Sequence, residues 1–255
     1  MSHIDAIILG IVEGITEFFP ISSTGHLILA SSLLRLPETD FLKTFQIAIQ
    51  LGAILAIVVL YWKKLLFDRE LLMKLIVALF PSLVVGFFLY SFIRRLFDFP
   101  LVVVGALFVG GIIIVVFERI YKHQDTARIT LSTLSYKKAL GIGLFQAFSV
   151  IPGVSRAGAT ILGGLALELE RKAIVEFSFL LAVPTMLAAT ALDLWKHGAL
   201  FSQADVWLLL TGFVTAFLVA IAAVKFLLKF VETNTFVVFG IYRIVLALIF
   251  FLFFL

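Results

Sequence analysis

Two glutamates in the first apolar stretch have the spacing of a shared site. Glu13 and Glu17 stand four residues apart in "EGITEFFPISSTGHL", so they lie one above the other on the same face of a helix. Carboxylates are costly in an apolar segment and are functional there by default. The pair could hold a divalent cation through hard oxygen ligands, or one member could act as a general base. The alternative is that both face water at an interface.

Three hydroxyls and a histidine follow Pro20 in the same stretch. Ser22, Ser23 and Thr24 stand at the expected start of the next helix, where Ser and Thr commonly act as N-caps. A helix N-terminus also offers free N–H groups and a positive dipole end, which bind phosphate well. A lone histidine is usually packed or on the surface, but beside these groups we interpret His26 as functional.

A second polar break, "PGVSRAGAT", places Arg156 between two apolar runs. An uncompensated arginine at membrane depth costs about 2.5–3.5 kcal/mol or more, so it needs a reason. Its forked guanidinium matches phosphate oxygens, and a salt bridge to Glu13 or Glu17 is the alternative. Three neighbours are further candidate contacts to a bound phosphate: the hydroxyls of Ser155 and Thr160, and the backbone at Gly153.

Together these groups favour phosphoryl transfer. Carboxylates could hold a cation, an arginine could hold phosphate, and a serine or histidine could act as nucleophile or acid. Phosphoryl transfer depends mainly on such positioning and charge neutralisation. A site inside a bilayer implies a lipid-linked substrate.

The composition predicts the kind of scaffold that must position these residues. Of 255 residues, 62% are hydrophobic and 14% are charged, and the mean hydropathy is +1.17. These values indicate an integral membrane protein, and its apolar runs do not alternate as barrel strands do, so it is all-α. Cysteine is absent, which excludes disulfides and thiol catalysis. The net charge of +4 reflects loop charge rather than a nucleic-acid surface. No cleavable signal peptide is evident.

Six segments are expected to span the membrane, at about 45–62, 72–92, 101–120, 176–195, 206–225 and 236–255. Two further pairs of apolar segments, 4–19 with 21–34 and 139–150 with 155–167, are too short to span and are each broken by proline. Such pairs predict re-entrant helical hairpins, and breaks of this kind are where membrane proteins build sites.

The two halves of the chain resemble each other at an offset near 133–135 residues. Gly10-x-x-Glu13 parallels Gly143-x-x-Gln146, and similar matches continue along the chain. We predict one membrane domain, 1–255, with repeat one at about 1–122, a polar loop at about 123–138 and repeat two at about 139–255. Because each repeat has three spans, the second is inverted, and the two hairpin tips can meet.

At these residues the sequence resembles the undecaprenyl-diphosphate phosphatases of the bacitracin-resistance type. "GIVEGITEFFPISSTGHL" and "PGVSRAGAT" are similar to the family's two signature motifs, and the resemblance covers nearly the whole chain. It implies hydrolysis of undecaprenyl diphosphate to undecaprenyl phosphate and phosphate, which recycles the lipid carrier for peptidoglycan and confers bacitracin resistance. It also implies a polyprenyl diphosphate lipid as substrate, a divalent metal, Mg²⁺ or Ca²⁺, and a bacterial cell membrane. A homodimer is a possible assembly.

Carried over by motif position, the resemblance points to the polar residues of both breaks. We expect catalytic roles for Glu17, Ser23, His26 and Arg156, substrate contacts from Ser22, Thr24, Ser155, Gly153 and Thr160, and a metal at Glu13 and Glu17. In the hypothetical mechanism Ser23 attacks the terminal phosphate while Glu17 or His26 moves protons; direct attack by water is the rival. The family often has Ser-Arg-Ser-Gly where this chain has Ala157, which puts in doubt any essential role for that position.

Two questions remain open from the sequence. Inverted repeats with broken helices also describe secondary transporters, so a flippase for a phosphorylated polyprenyl lipid is the alternative function. Orientation follows from basic residues, which are in excess on the cytoplasmic side. That side would receive Lys63, Lys64, Arg69, Arg119, Lys122, Arg128, Lys137, Lys138, Arg171, Lys172, Lys225 and Lys229. The opposite side would receive Arg35, Lys43, Arg94, Arg95 and Lys196, with both termini and the opening of the active site.

Overall fold

The computed structural model describes residues 1–96, 99–121, 129–197 and 203–254. Within these ranges the regular secondary structure is helical, apart from one isolated β-bridge between Ile129 and Leu169. The helices are α1 (His3–Thr16), α2 (Ser23–Leu33), α3 (Asp40–Phe67), α4 (Arg69–Phe88), α5 (Tyr90–Leu96), α6 (Pro100–Ile120), α7 (Tyr136–Ala147), α8 (Arg156–Ala166), α9 (Arg171–His197), α10 (Gln203–Phe230) and α11 (Val237–Phe254). The described part of the chain confirms the all-α class.

Five described helices are long and apolar enough to cross a membrane. They are α3, α4, α6 and the segments Arg171–Leu192 of α9 and Val206–Phe230 of α10. The sixth predicted span forms a shorter apolar helix, Val237–Phe253. Large side chains such as Phe80 and Phe87 are exposed on the outside of the bundle, where a bilayer can cover them. A polytopic membrane protein is confirmed, whereas the number of six spans stays a prediction.

Helix ends differ from the predicted spans where polar residues cap the helices. Asp68 ends α3, and its side chain accepts a hydrogen bond from the N–H of Leu71, so the same residue caps α4. The segment predicted as one span at 72–92 is divided at Leu89, whose ψ of 9° is outside the helical range. The short helix α5 follows this break.

The segments predicted as two hairpins form pairs of short helices, and their re-entrant path in a membrane stays a prediction. Helices α1 and α2 have 14 and 11 residues, and α7 and α8 have 12 and 11. At about 1.5 Å per residue none of the four reaches the roughly 30 Å of a bilayer core. Helix α7 begins at Tyr136, inside the segment predicted as loop, because Ser135 caps it. Lys122 and Arg128, which contributed to the predicted orientation, lie outside the described residues.

Backbone conformations recur between the halves at a constant offset. Ser22 and Ser155 have φ angles of 72° and 74°, Arg35 and Glu168 have 53° and 69°, and both pairs are 133 residues apart. The packing also corresponds, because α1 lies along α10 while its counterpart α7 lies along α4. Each hairpin therefore packs against a span of the other half. The repeat boundaries and the inversion of the second copy stay predictions.

Close approach of these helices depends on glycines. A methyl group on Gly10 would sit 2.7 Å from the carbonyl oxygen of Gly212, and one on Gly143 would overlap the carbonyl of Ala78. Small residues let helix backbones approach in this way inside membranes. These contacts hold α1 against α10 and α7 against α4, and hence hold in place the two breaks that follow them.

Candidate active site

Glu17 joins the two hairpin breaks. It is the first residue after α1, and its Oε2 accepts a hydrogen bond of 2.6 Å from the Ser23 hydroxyl. Its Oε1 lies 3.0 Å from Nη2 of Arg156, the first residue of α8. All three side chains are buried or nearly so. The structure thus brings together three of the predicted catalytic residues, and it pairs Arg156 with Glu17 rather than with Glu13.

Glu13 is fully buried one helical turn before Glu17. Neither of its carboxylate oxygens has a hydrogen-bond partner among the described residues. A buried carboxylate without a partner is strongly unfavourable, so the position calls for a cation or a proton. No cluster of three or more Asp, Glu, His or Cys side chains that could together hold a metal ion occurs in the described ranges. Mg²⁺ commonly binds one or two carboxylates and completes its shell with water and substrate phosphates, so the pair fits such an ion.

At both breaks a serine has a positive φ, in the left-handed region that favours glycine. Ser22 and Ser155 are the N-caps of α2 and α8, and each side chain accepts a hydrogen bond from the N–H three residues later. A non-glycine residue in this region costs on the order of 1–3 kcal/mol, and such strain is commonly found at functional sites. The N-termini of α2 and α8 lie at these breaks, and a helix N-terminus can bind an anion.

Arg156 is held by the carboxylate and by α9. Its Nη1 donates to the backbone carbonyl of Ser178 at 2.8 Å and lies 3.3 Å from the Ser178 hydroxyl. That hydroxyl is 2.6 Å from Oγ1 of Thr160, which also bonds to carbonyls of its own helix. The Nε of Arg156 has no partner among the described residues. The guanidinium is therefore oriented but keeps a donor for a ligand.

His26 contacts different groups from those predicted. Its Nδ1 lies 2.8 Å from the carbonyl oxygen of Ser22, and its Nε2 lies 2.7 Å from the hydroxyl of Tyr242 on α11. A carbonyl oxygen only accepts, so Nδ1 carries the proton, and in the neutral ring Nε2 accepts from Tyr242. Both ring nitrogens are occupied in this state. The arrangement favours a positioning role at the Ser22 turn over proton transfer from Ser23.

Arg243 lies between the two breaks and α6. It is only 1% exposed, and its guanidinium donates to five backbone carbonyls. The acceptors are Pro20 and Val154 for Nη1, Ala106 and Gly153 for Nη2, and Leu107 for Nε, at 2.9–3.2 Å. One side chain from the last helix therefore contacts the backbone of both breaks.

The remaining predicted residues lie at the same tips. Thr24 is half-buried in the first turn of α2. Gly153 has a φ of 93°, and a side chain there would meet the carbonyl of Val103, so this glycine makes room for α6. Thr160 is fully buried. Their predicted substrate contacts stay predictions.

Sequence reasoning missed three residues that contact this site: Ser178, Tyr242 and Arg243. Arg243 carried the same signal as Arg156, a lone arginine in an apolar run, and the cost of that charge pointed to it. Ser178 and Tyr242 carried no such signal, because hydroxyls in a membrane helix commonly bond to their own backbone.

Comparison with known proteins shows the family of this chain. The family described as "Bacitracin resistance protein BacA" matches residues 6–249. A protein of Persephonella marina is 52% identical over 253 residues, and one of Sulfurihydrogenibium sp. is 48% identical over 252; each match covers 99% of both chains. A protein of Aquifex aeolicus is 47% identical over the full length of both chains. All three are named undecaprenyl-diphosphatase. The match covers both hairpins and all the described spans, and the chain therefore belongs to the bacitracin resistance protein BacA family.

Proposed function

We propose that this chain hydrolyses undecaprenyl diphosphate to undecaprenyl phosphate and inorganic phosphate. The observation that carries the proposal is the contact of one carboxylate, Glu17, with both Ser23 and Arg156. In this proposal Glu17 is the proton acceptor, Ser23 the nucleophile and Arg156 the phosphate-binding cation of one hydrogen-bonded unit. Relatives of nearly equal length that are named undecaprenyl-diphosphatase support the choice of substrate.

Binding of the diphosphate uses charge that is already present at the tips. The N-termini of α2 and α8 present N–H groups and positive dipole ends. The Nε of Arg156 supplies a further donor. Because the tips are buried within the protein, these groups face less competition from water than at a surface. The lipid tail remains on the bilayer side of the helices.

The first chemical step is attack by Ser23 on the terminal phosphorus. The Ser23 oxygen forms a bond to phosphorus while the bond from phosphorus to the bridging oxygen breaks, so undecaprenyl phosphate leaves. The Ser23 proton passes to Glu17 Oε2, to which the hydroxyl already donates. Arg156 stabilises charge on the transferring group. Glu17 is a better candidate base than His26, because the histidine contacts Ser22 and Tyr242 instead.

Hydrolysis of the phosphoserine completes the cycle. A water oxygen bonds to phosphorus as the bond to the Ser23 oxygen breaks, and Glu17 returns its proton to that oxygen. One water proton stays on the released phosphate and the other leaves to solvent. Ser23 and Glu17 then have the arrangement seen in the structure.

A divalent cation, Mg²⁺ or Ca²⁺, is part of the proposal. Glu13 and Glu17 would hold it, and the unpartnered oxygens of Glu13 support that position. When bound, the cation neutralises diphosphate charge and so favours departure of the lipid phosphate. The buried Glu13 carboxylate would then have a counter-charge in the apolar interior.

Phosphate release by the purified protein in detergent tests the function. We expect metal-dependent release from undecaprenyl diphosphate and none from a Ser23→Ala variant. A transporter for the lipid would release no phosphate at all, which would overturn the proposal. Rapid acid quenching with labelled terminal phosphate separates the two mechanisms, because label bound to Ser23 supports the nucleophile and its absence at all times supports direct attack by water.

We place the protein in the bacterial cell membrane with the active site opening to the extracytoplasmic side. The excess of basic residues at one end of the spans supports this orientation. A diphosphate lipid at the outer leaflet could then reach the first hairpin without crossing the bilayer. A homodimer stays a prediction, to be tested by the mass of the detergent-solubilised protein.

A further inference from the structure

Arg243 uses its whole donor capacity on backbone. A guanidinium has five N–H groups, and here each one has a carbonyl acceptor of its own. Arg156 differs, since it has an Nε without a partner among the described residues. Of these two buried arginines, Arg156 can therefore accept a phosphate without losing a bond, whereas Arg243 cannot.

Three of the five acceptors lie in the two breaks, just before the serines that start the turns into α2 and α8. The carbonyl of Pro20 comes two residues before Ser22, which starts the turn into α2. The carbonyls of Gly153 and Val154 directly precede Ser155, which starts the turn into α8. The other two acceptors belong to α6, a helix of neither hairpin. The side chain thus connects both breaks to each other and to a span.

Burial of the charge argues that this connection is maintained. Arg243 is 1% exposed in an apolar helix, so breaking its bonds would leave a buried cation without partners. Hydrogen bonds to a charged group are stronger than bonds between neutral groups, and moving the breaks apart would cost either the bond to Pro20 or the two bonds to Gly153 and Val154.

We propose that Arg243 is a positioning residue that fixes the two hairpin breaks in register, so that Arg156 from one meets Glu17 and Ser23 from the other. The inference rests on the proposed function, since register matters most for a reaction shared between the hairpins. The guanidinium donates to backbone carbonyls rather than to Glu17, Ser23 or Arg156, and in this proposal it acts through the backbone of the tips.

Two substitutions disturb the guanidinium by independent routes. Arg243→Lys keeps the charge but offers three donors from one nitrogen, which cannot reach five carbonyls. Gly110→Ala does not change the residue at position 243. Its added methyl group would overlap Nη2 of Arg243 and would lie 2.8 Å from Cζ, so the guanidinium must shift. Gly105→Ala on the same helix is the matched control, because a methyl group there meets nothing within 4 Å. Alanine also forms helix better than glycine, so neither change weakens α6 by propensity.

The first readout is turnover per folded molecule. A misplacement of about 1 Å can reduce a rate by about 100-fold, so we expect kcat to fall by about 10- to 100-fold in Arg243→Lys and Gly110→Ala, and by less than about twofold in Gly105→Ala. In an Arg156→Lys background the effect of Arg243→Lys should shrink, because the guanidinium it positions is already gone. Fully multiplicative effects would contradict the proposed route.

The second readout measures register without activity. The chain has no cysteine, so spin labels can be placed at Ile15 and Ile151, which are exposed on opposite hairpins. We expect the distance distribution to broaden or shift in Arg243→Lys and Gly110→Ala and to match wild type in Gly105→Ala. An unchanged distribution with unchanged kcat per folded molecule would overturn the proposal, even if thermal stability fell. If wild type released no phosphate, the proposed function would fail while the spin-label result still decided the role of Arg243.

Discussion

The Ser23 hydroxyl donates to Oε2 of Glu17 across 2.6 Å, while the other oxygen of the same carboxylate faces Arg156 at 3.0 Å. One carboxylate thus contacts the proposed nucleophile, Ser23, from the first hairpin and Arg156 from the second. Residues Ser23 and Arg156 are the first residues of α2 and α8, so the contact also places two helix N-termini side by side. The Glu17 carboxylate therefore both contacts the candidate site residues and joins the two helices that carry them.

Replacing Glu17 by Gln should reduce kcat by about 100- to 10,000-fold, the usual range for loss of a general base. The amide is nearly the same size and can still bond to Ser23, but it cannot take the proton. Phosphate release and lipid-substrate binding should be measured together. Retention of more than a tenth of wild-type kcat would show that Glu17 is not the base.

Arg156→Lys should keep the charge but lose the fork that contacts Glu17 and Ser178 at once. We expect kcat/KM to fall by about 100- to 1,000-fold, as when one preorganised donor to a developing charge is removed. Arg119→Lys is the control, because Arg119 is exposed at the end of α6. Equal activity in the two variants would exclude a bidentate grip on phosphate.

Glu13→Gln tests the metal site by stability as well as by rate. Removing the carboxylate should reduce the extra thermal stability that Mg²⁺ or Ca²⁺ provides, because a neutral amide binds the cation more weakly. The metal concentration for half-maximal activity should rise by at least about 10- to 100-fold, the range for loss of an outer-shell partner. Gln146 is fully buried at the equivalent position of the other hairpin, so an amide can be accommodated. An unchanged metal requirement would remove Glu13 from the metal site.

Much of the fold could be predicted because the bilayer restricts the options. Apolar runs of spanning length and proline breaks predicted long and short helices, and the described residues contain five helices of spanning length and two pairs of short ones. Helix ends were less predictable. Ser135 and Asp68 extend or divide helices by capping, and a hydropathy pattern does not register such bonds.

The candidate site could be predicted in part for a similar reason. Charges such as Glu13, Glu17 and Arg156 are conspicuous in an apolar sequence, whereas their partners are distant in the chain. Arg156 meets Glu17 across 139 residues, and Arg243 meets Pro20 across 223. Helix α11, which carries Arg243, packs against α6, a contact between elements far apart in the chain. The same packing places Tyr242 on His26, which the spacing of His26 to Ser23 did not reveal.

Tyr242→Phe should lower kcat modestly, because it removes one hydrogen bond from His26 Nε2 and leaves the stacked ring contact. A neutral bond of about 0.5–1.5 kcal/mol corresponds to about a 2- to 12-fold change. The control is Tyr136→Phe at the exposed start of α7. A loss as large as that of His26→Ala would instead show that the tyrosine hydroxyl itself takes part in the reaction.

Cysteine labelling in intact cells can test the orientation, because the chain has no cysteine of its own. The chosen positions must be exposed and must not cap a helix, which excludes Ser2, since it caps α1. Glu38 lies exposed between α2 and α3, and Thr235 lies exposed between α10 and α11. If basic residues mark the cytoplasmic side, Glu38→Cys should react with an impermeant thiol reagent and Thr235→Cys should react only after lysis. The opposite pattern would move the first hairpin to the cytoplasmic side, and with it the opening of a site built from Glu17 and Ser23.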